Sequence, residues 1–351
     1  MVFSPDSPSP RDRRGRPADR AGLALPKYGD VCAAAERLAG HAVRTPLLES
    51  SWLNARLGGR LLIKAEPLQR TGSFKFRGAF NCISQLDPAA RARGVVAYSS
   101  GNHAQAVAAA AQLLGARATI VMPNDAPAVK IAGTRRLGAD IVGFDRETEN
   151  REDIAGRIAE ETGAALVRPY EDYNVIAGQG TVGLEIAAEC RVRRIAPDYI
   201  VVPASGGGLM AGCALALSAE MPDTALYTAE PSGYDDHARS FKAGTRQQVE
   251  DLSAATLCDA LRSRQPGERT FAINKRRVRG GLAVDDGAVL RAMAAAFHHL
   301  KLVIEPGGAV ALAAVLNGAL DITGKTVLVV ASGGNVDPDI FRLALEHGDD
   351  G

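Results

Sequence analysis

Ser73-Phe74-Lys75-Phe76-Arg77-Gly78-Ala79 sets a lysine among apolar and small residues rather than on a solvated charged face. A buried ammonium loses much of its hydration energy, so a lysine in such a setting deprotonates or becomes a covalent anchor. The stretch therefore predicts a Schiff-base lysine at position 75; the alternative is a surface lysine on an amphipathic helix.

Four glycine-bearing segments surround that reading. Ser99-Ser100-Gly101-Asn102-His103 follows the apolar run Val95-Val96-Ala97-Tyr98 and precedes an alanine-rich stretch at 104–114. Strand, glycine turn and helix start in this order present backbone N–H groups, a hydroxyl and an amide at the carboxyl end of a strand, where ligands bind. Ser205-Gly206-Gly207-Gly208-Leu209 repeats the order after a strand-like run at 199–202. Three successive glycines let amides converge on an anion, and the dipole of the following helix adds attraction, which reads as a phosphate cup. It is neither Gly-x-Gly-x-x-Gly nor a Walker loop, since no Gly-Lys-Ser/Thr follows. The others are Ser332-Gly333-Gly334-Asn335, after the apolar run 326–330, and Glu305-Pro306-Gly307-Gly308-Ala309. Each cluster alone reads as a plain turn; their order around Lys75 is what is specific.

That order resembles the fold type II family of pyridoxal-phosphate enzymes, the tryptophan synthase β-like fold, and in particular its threonine and serine dehydratase and serine racemase branch. The resemblance runs over about residues 46–345. Independently of it, apolar β-branched runs at 60–63, 95–98, 118–122, 140–144, 165–168, 199–202, 225–229 and 326–330 alternate with helical stretches, which predicts an α/β fold of parallel sheets flanked by helices. Four of the runs fall between Gly94 and Tyr170 and form a sheet of their own in this reading. The expected organisation is a disordered extension at 1–26, a large cofactor domain from 27–93 and 172–351, and a small domain at 94–171. The extension is rich in proline and arginine and lacks the apolar core of a secretory signal.

The family resemblance implies residue roles. Lys75 would carry pyridoxal 5'-phosphate as a Schiff base and act as base at the substrate α-carbon, with Phe74 packed beside the cofactor. Ser100, Gly101, Asn102 and His103 would hold the substrate carboxylate, and Asn102 the cofactor's 3' oxygen. Ser100 would be the acid or base on the face opposite Lys75. For His103 the alternative is a helix-start histidine held by packing. Ser205, Gly206, Gly207, Gly208 and Leu209 would hold the phosphate, and Ser332 would face the pyridine nitrogen. A neutral hydroxyl there leaves the ring a weaker electron sink than an aspartate would, which favours elimination at the β-carbon over transamination.

In Glu230-Pro231-Ser232-Gly233-Tyr234-Asp235-Asp236 two carboxylates six residues apart flank a turn. The resemblance assigns Glu230, the Tyr234 carbonyl and Asp236 to a Mg2+ or Ca2+ site; the alternative is an acidic solvated loop. Arg151 matches an arginine that approaches substrate carboxylates in the racemase branch, and otherwise reads as a solvated helix residue.

Composition narrows the partners. Forty-one basic and 40 acidic residues leave a net charge of +1, so no nucleic-acid partner is expected. No apolar run reaches the roughly 18 residues of a membrane span. Five scattered cysteines, without a C-x-x-C pair, argue against a disulfide framework and point to a reducing, cytoplasmic setting. In the family this chain resembles, biosynthetic threonine dehydratases carry a long C-terminal regulatory region; with 16 residues after Asn335, the resemblance implies a catabolic enzyme without feedback by isoleucine as the expectation. The expected activity is an ammonia-lyase converting a 3-hydroxy amino acid of the L-threonine or L-serine type to a 2-oxo acid. The alternatives are a 3-hydroxyaspartate dehydratase, a serine or aspartate racemase, or an inactive cofactor-binding pathway partner. A homodimer is the assembly expected from the resemblance.

Overall fold

A computed structural model describes residues 23–99, 101–126 and 128–348. The strands among them are β1 Leu47–Glu49, β2 Arg60–Ala65, β3 Val95–Tyr98, β4 Ala118–Pro123, β5 Asp140–Phe144, β6 Ala165–Leu166, β7 Tyr199–Pro203, β8 Ala225–Pro231, β9 Val278–Val284 and β10 Thr326–Ala331. They form a six-stranded sheet, β1-β2-β10-β7-β8-β9, and a four-stranded sheet, β5-β4-β3-β6. Only the β1–β2 pair is antiparallel among these.

Helices cover both faces of the larger sheet, which is why its central strands are nearly continuous apolar runs. Along β2, Leu61 and Ile63 join a core with the helices Asp286–Leu300 and Pro306–Leu316. Leu62 points the other way, to the helices Thr181–Arg193 and Gly208–Glu220. All but the first residue of β10 are buried. At about 1.5–3 kcal/mol for each buried valine or leucine, this strand firmly anchors Ser332 at its end.

The smaller sheet carries the helix Arg151–Thr162 on one face through Ile154 and Ala155. Its other face packs the helix Asn102–Leu113 and also the helix Lys75–Ser84, through Phe76, Phe80 and Ile83. The lysine's helix thus shares the core of the four-stranded sheet, although its sequence precedes Gly94. The sequence reading missed β1, which has three residues, and β9, where Arg279-Gly280-Gly281 interrupts the apolar pattern of an edge strand. Of the expected extension, residues 1–22 lie outside the described residues. Residues 23–26 are held against the body: Ala24 is buried, and its carbonyl accepts from Arg269 Nε at 2.7 Å. Among the described residues no helix is long and apolar enough to cross a membrane, and all five cysteines are free thiols.

Candidate active site

One cavity of roughly 960 Å3 collects the turns after β3, β7 and β10, the carboxyl ends of their strands. Of the predicted residues Phe74, Lys75, Gly101, Asn102, His103, Ser205, Gly206, Gly207, Gly208, Leu209 and Ser332 line it. Ser100 lies outside the described residues.

Lys75 opens its helix, and the backbone just before it is tied to the end of β10. Ser73 bridges Gly333, and Phe74 N donates to the Ser332 carbonyl at 3.1 Å. Lysine and Ser332 are therefore set side by side by backbone bonds. Lys75 Nζ donates to the Pro169 carbonyl at 2.8 Å and stands 5.1 Å from the Phe74 ring centroid. Its open surface faces the cavity while protein surrounds it otherwise. Burial lowers its pKa to about 8, against an opposing pull from the Glu305 carboxylate. A surface lysine is thereby excluded; this amine reaches its nucleophilic neutral form near neutral pH.

Asn102 begins the next helix and is oriented from two sides. Asn335 Nδ2 donates to the Thr71 carbonyl at 2.8 Å and to Asn102 Oδ1 at 2.7 Å, while Asn102 Nδ2 donates to Glu305 Oε1 at 2.5 Å. Because the carbonyl and carboxylate only accept, the chain of bonds fixes which end of each amide is nitrogen. One hydrogen of Asn102 Nδ2 remains for a ligand. His103 Nε2 lies 2.9 Å from the Val167 carbonyl, so it carries the hydrogen, and Nδ1 is left as a buried acceptor with no protein partner. Burial, then the nearby Lys75, pushes this imidazole down to about 3, so it is neutral at physiological pH.

The glycine loop is built for close approach. Gly207 has φ +89°, and the helix Gly208–Glu220 starts without a side-chain cap, leaving its first amides free for an anion. A Cβ on Gly206 would stand 2.3 Å from the Tyr170 ring. The Ser205 hydroxyl meets that of Ser263 at 2.7 Å, and Ser263 bonds the Tyr170 hydroxyl in turn. Sequence reading missed Tyr170 and Ser263, which sit on loops without a motif, and assigned no role to Glu305 or Asn335 although both stood in segments it singled out.

The acidic loop lies next to this cavity, where Tyr234 lines the wall. Glu230 and Asp236 are both fully buried, which rules out a solvated loop. Glu230 accepts from His237 N at 2.8 Å and Ala238 N at 2.9 Å, whereas both oxygens of Asp236 lack a protein partner. Burial, then Asp236, pushes Glu230 well above the carboxylate range, and burial pushes Asp236 up to about 7. Among the described residues no three acidic, histidine or cysteine side chains converge there. Arg151, exposed at the start of its helix, lies over the Tyr98 ring at 5.6 Å on the cavity wall.

These residues fit pyridoxal phosphate: an amine kept partly neutral, a cup of amides for a dianion, and a hydroxyl at the end of β10. Comparison with known proteins agrees. A family model described as pyridoxal-phosphate dependent enzyme matches residues 38–333. An L-threo-3-hydroxyaspartate ammonia-lyase of a Pseudomonas species is 45% identical, covering 92% of this chain and 100% of its own. One of Saccharomyces cerevisiae is 40% identical over 94% of this chain and 99% of its own. The crystal structure of a T.th. threonine deaminase superposes with a TM-score of 0.83 at 45% identity, covering 89% of this chain and 99% of that one. Maize serine racemase superposes at 0.84 and 38% identity, with 92% and 97% covered. On a match of that extent, the chain belongs to the fold type II pyridoxal-phosphate dependent enzymes, in the branch that holds the threonine ammonia-lyases and serine racemases.

Proposed function

We propose that this lyase acts on 3-hydroxyaspartate, whose second carboxylate sits on the carbon that bears the hydroxyl. The observation that carries the reading is the set of arginines on the cavity lining, Arg136, Arg146, Arg151, Arg262 and Arg264, set among the carboxylates Asp125, Asp259, Glu305 and Asp337. Arg146 is paired with Asp125 at 2.7 Å and Arg262 Nε donates to the Tyr234 hydroxyl at 3.1 Å. Arg151, stacked on Tyr98, is the guanidinium we assign to the distal carboxylate. Threonine offers a methyl group at that place and serine a hydrogen, and neither has use for the charge. The relatives named for 3-hydroxyaspartate support the same substrate. The threonine or serine expectation therefore gives way to its alternative.

When bound, pyridoxal phosphate supplies an electron sink that acidifies the substrate α-proton. The amides of Gly206, Gly207, Gly208 and Leu209 would hold its phosphate, Asn102 its ring oxygen and Ser332 its ring nitrogen. Lys75 would anchor it and then take the α-proton, a task suited to an amine titrating near 8. His103 would offer Nδ1 as an acceptor without adding charge. Loss of the α-hydrogen and the β-hydroxyl releases water; hydrolysis of the product takes one water up again and yields a 2-oxo acid and ammonia. Measuring kcat/KM for 3-hydroxyaspartate, serine and threonine tests the substrate. A charge-assisted contact is worth about 1.5–3 kcal/mol, so Arg151→Gln should lower the value for 3-hydroxyaspartate roughly ten- to 150-fold and leave serine nearly unchanged. Faster turnover of serine or threonine by the unmodified enzyme, or equal losses on all three, would overturn the reading.

We infer in addition that a divalent cation, magnesium or calcium, would be held by Glu230, Asp236 and the Tyr234 carbonyl. Asp236 carries this, since a buried carboxylate without a donor is costly unless a cation offsets it. Chelation should lower the melting temperature and the rate together, with recovery on adding the cation. A chelator that changes neither removes the cation from this account.

A further inference from the structure

We propose that His237 mechanically couples the acidic loop to the phosphate cup, so that a cation at Glu230 and Asp236 and pyridoxal phosphate on the glycine loop tighten each other's binding. The inference rests on the cation reading above and goes beyond it, because neither site need influence the other.

His237 is the second residue of the helix Asp236–Ala243, and its ring is fully buried. Its backbone N–H donates to Glu230 Oε1 at 2.8 Å, so its main chain is fastened to one of the two carboxylates and adjoins the other. Its side chain reaches the opposite way. Nε2 lies 2.9 Å from the Ser205 carbonyl, which only accepts, so this nitrogen carries the hydrogen and donates. Nδ1 then holds a bare lone pair, and it has no protein partner. The ring also supports the loop sterically. A Cβ on Gly207 would stand 2.6 Å from His237 Cε1 and 2.8 Å from Nε2, so the loop backbone lies against the Cε1–Nε2 edge of the imidazole with no room for a side chain between. Behind the ring, Phe241 packs at 5.7 Å between centroids and continues to Phe271 at 6.0 Å. The imidazole therefore stands between Phe241 and the Ser205–Gly207 turn, which gives a shift of the helix start a direct path to that turn.

That geometry gives the two ligands a shared element. With the cation present, Asp236 gains a ligand it shares with Glu230, which adds to the N–H bonds that tie the start of the helix to the end of β8. His237 then presents its N–H to Ser205 and fixes the turn from which the amides at 206–209 point. Without the cation, the helix start is held to β8 only by the two N–H bonds to Glu230, Asp236 is left buried with no donor on either oxygen, and the turn loses part of its support. Coupling of this kind is reciprocal and is typically about five- to 150-fold in affinity.

The test titrates apo-protein with pyridoxal phosphate, followed by visible absorbance, in chelator and in magnesium chloride. Magnesium binding is measured by calorimetry with and without pyridoxal phosphate. The expected result is a pyridoxal-phosphate Kd roughly tenfold tighter with magnesium and the same factor in the reciprocal titration. His237→Phe, which keeps ring volume but cannot donate to Ser205, should still bind both ligands while losing most of the factor. His237→Gln, which restores a donor, should recover part of it. The 31P resonance of the bound cofactor should shift with magnesium in the unmodified protein and not in His237→Phe. Magnesium that binds while the pyridoxal-phosphate Kd stays constant would overturn the coupling and leave the cation site standing. A factor that survives in His237→Phe would overturn the role of His237. Absence of magnesium binding would overturn the cation reading and the coupling with it.

Discussion

Replacing Arg77 by methionine removes a guanidinium from a buried cluster of four charges: Lys64, Glu66, Arg77 and Glu185. Arg77 Nε and Nη2 each donate to Glu66 at 2.8 Å, and Nη1 and Nη2 donate to Glu185 at 2.6 and 2.9 Å. Lys64 Nζ bonds Glu185 at 2.6 Å. Two cations and two anions cancel. After the substitution the cluster carries −1, and the fully buried Glu66 keeps Thr45 Oγ1, at 2.5 Å, as its direct donor. Glu185 opens onto a pocket of about 340 Å3 and retains Lys64, so the penalty falls mainly on Glu66. Breaking a buried pair from one side costs roughly 3–5 kcal/mol, and that is the loss expected in urea unfolding followed by circular dichroism and by the single tryptophan, Trp52.

The pH dependence separates charge from packing. Burial pushes Glu66 up, but Arg77, with help from Lys64 and Thr45, holds it below the ordinary range. Without Arg77 the burial effect dominates and the folded-state pKa rises above the unfolded one. The folded variant then binds more protons than the unfolded chain, so its stability falls as pH rises from about 5 to 8, by at most about 1.4 kcal/mol per unit. In the parent Glu66 contributes no slope in that window, because its depressed pKa matters only in acid. Glu66→Gln combined with Arg77→Met makes the cluster neutral again and should be less damaging than Arg77→Met alone. A loss under about 1 kcal/mol without a pH slope, or equal losses in single and double variants, would refute the electrostatic reasoning.

The rate at which apo-protein captures pyridoxal phosphate should rise with pH through about 8, where Lys75 becomes neutral, and not near the ordinary lysine value; Lys75→Ala should abolish the absorbance band and turnover while leaving circular dichroism unchanged. Asn335→Ala removes the donor that orients Asn102, so the absorbance of the bound cofactor should shift and kcat fall by about tenfold with little loss of stability. Ser100→Ala should reduce any racemase activity far more than lyase activity on the L-substrate, as followed by chiral chromatography; equal losses would make Ser100 a substrate holder only.

Much of the fold was legible because parallel strands covered on both faces must be apolar throughout, and runs such as 326–330 have that composition. Strand β1 escaped because it has only three residues, and β9 because Arg279-Gly280-Gly281 interrupts its apolar run. The glycine loop was legible from its place after a strand and its order with Lys75 and the other glycine segments, since alone it reads as a plain turn. Arg77 was hidden in plain view: it stands in the stretch quoted around Lys75 and receives no role there, although a buried charge requires buried partners. Those partners, Glu66 and Glu185, are 11 and 108 residues away in the chain. Tyr170, Ser263 and His237 act through contacts between loops distant in sequence, and nothing in the local pattern of one chain announces such contacts.

The distribution of charge explains why a phosphate cup without lysine or arginine suits this cavity. An arginine on the phosphate would stand near Lys75 and lower its pKa further, weakening it as a base. It would also draw the two carboxylates of a dicarboxylic substrate toward the wrong end of the cavity. Neutral amides would hold the dianion without either effect, while the guanidiniums stand elsewhere on the lining: Arg262 and Arg264 flank Ser263, which meets Ser205, and Arg151 lies over Tyr98. The fixed cation of the Lys75 helix, Arg77, is neutralised by Glu66 and Glu185 within its own cluster. The cations open to the cavity are therefore the arginines of its lining and not the buried Arg77. Raising ionic strength should accordingly weaken capture of 3-hydroxyaspartate, seen as a higher KM, more than capture of serine, because the wall arginines are open to solvent and screened by salt.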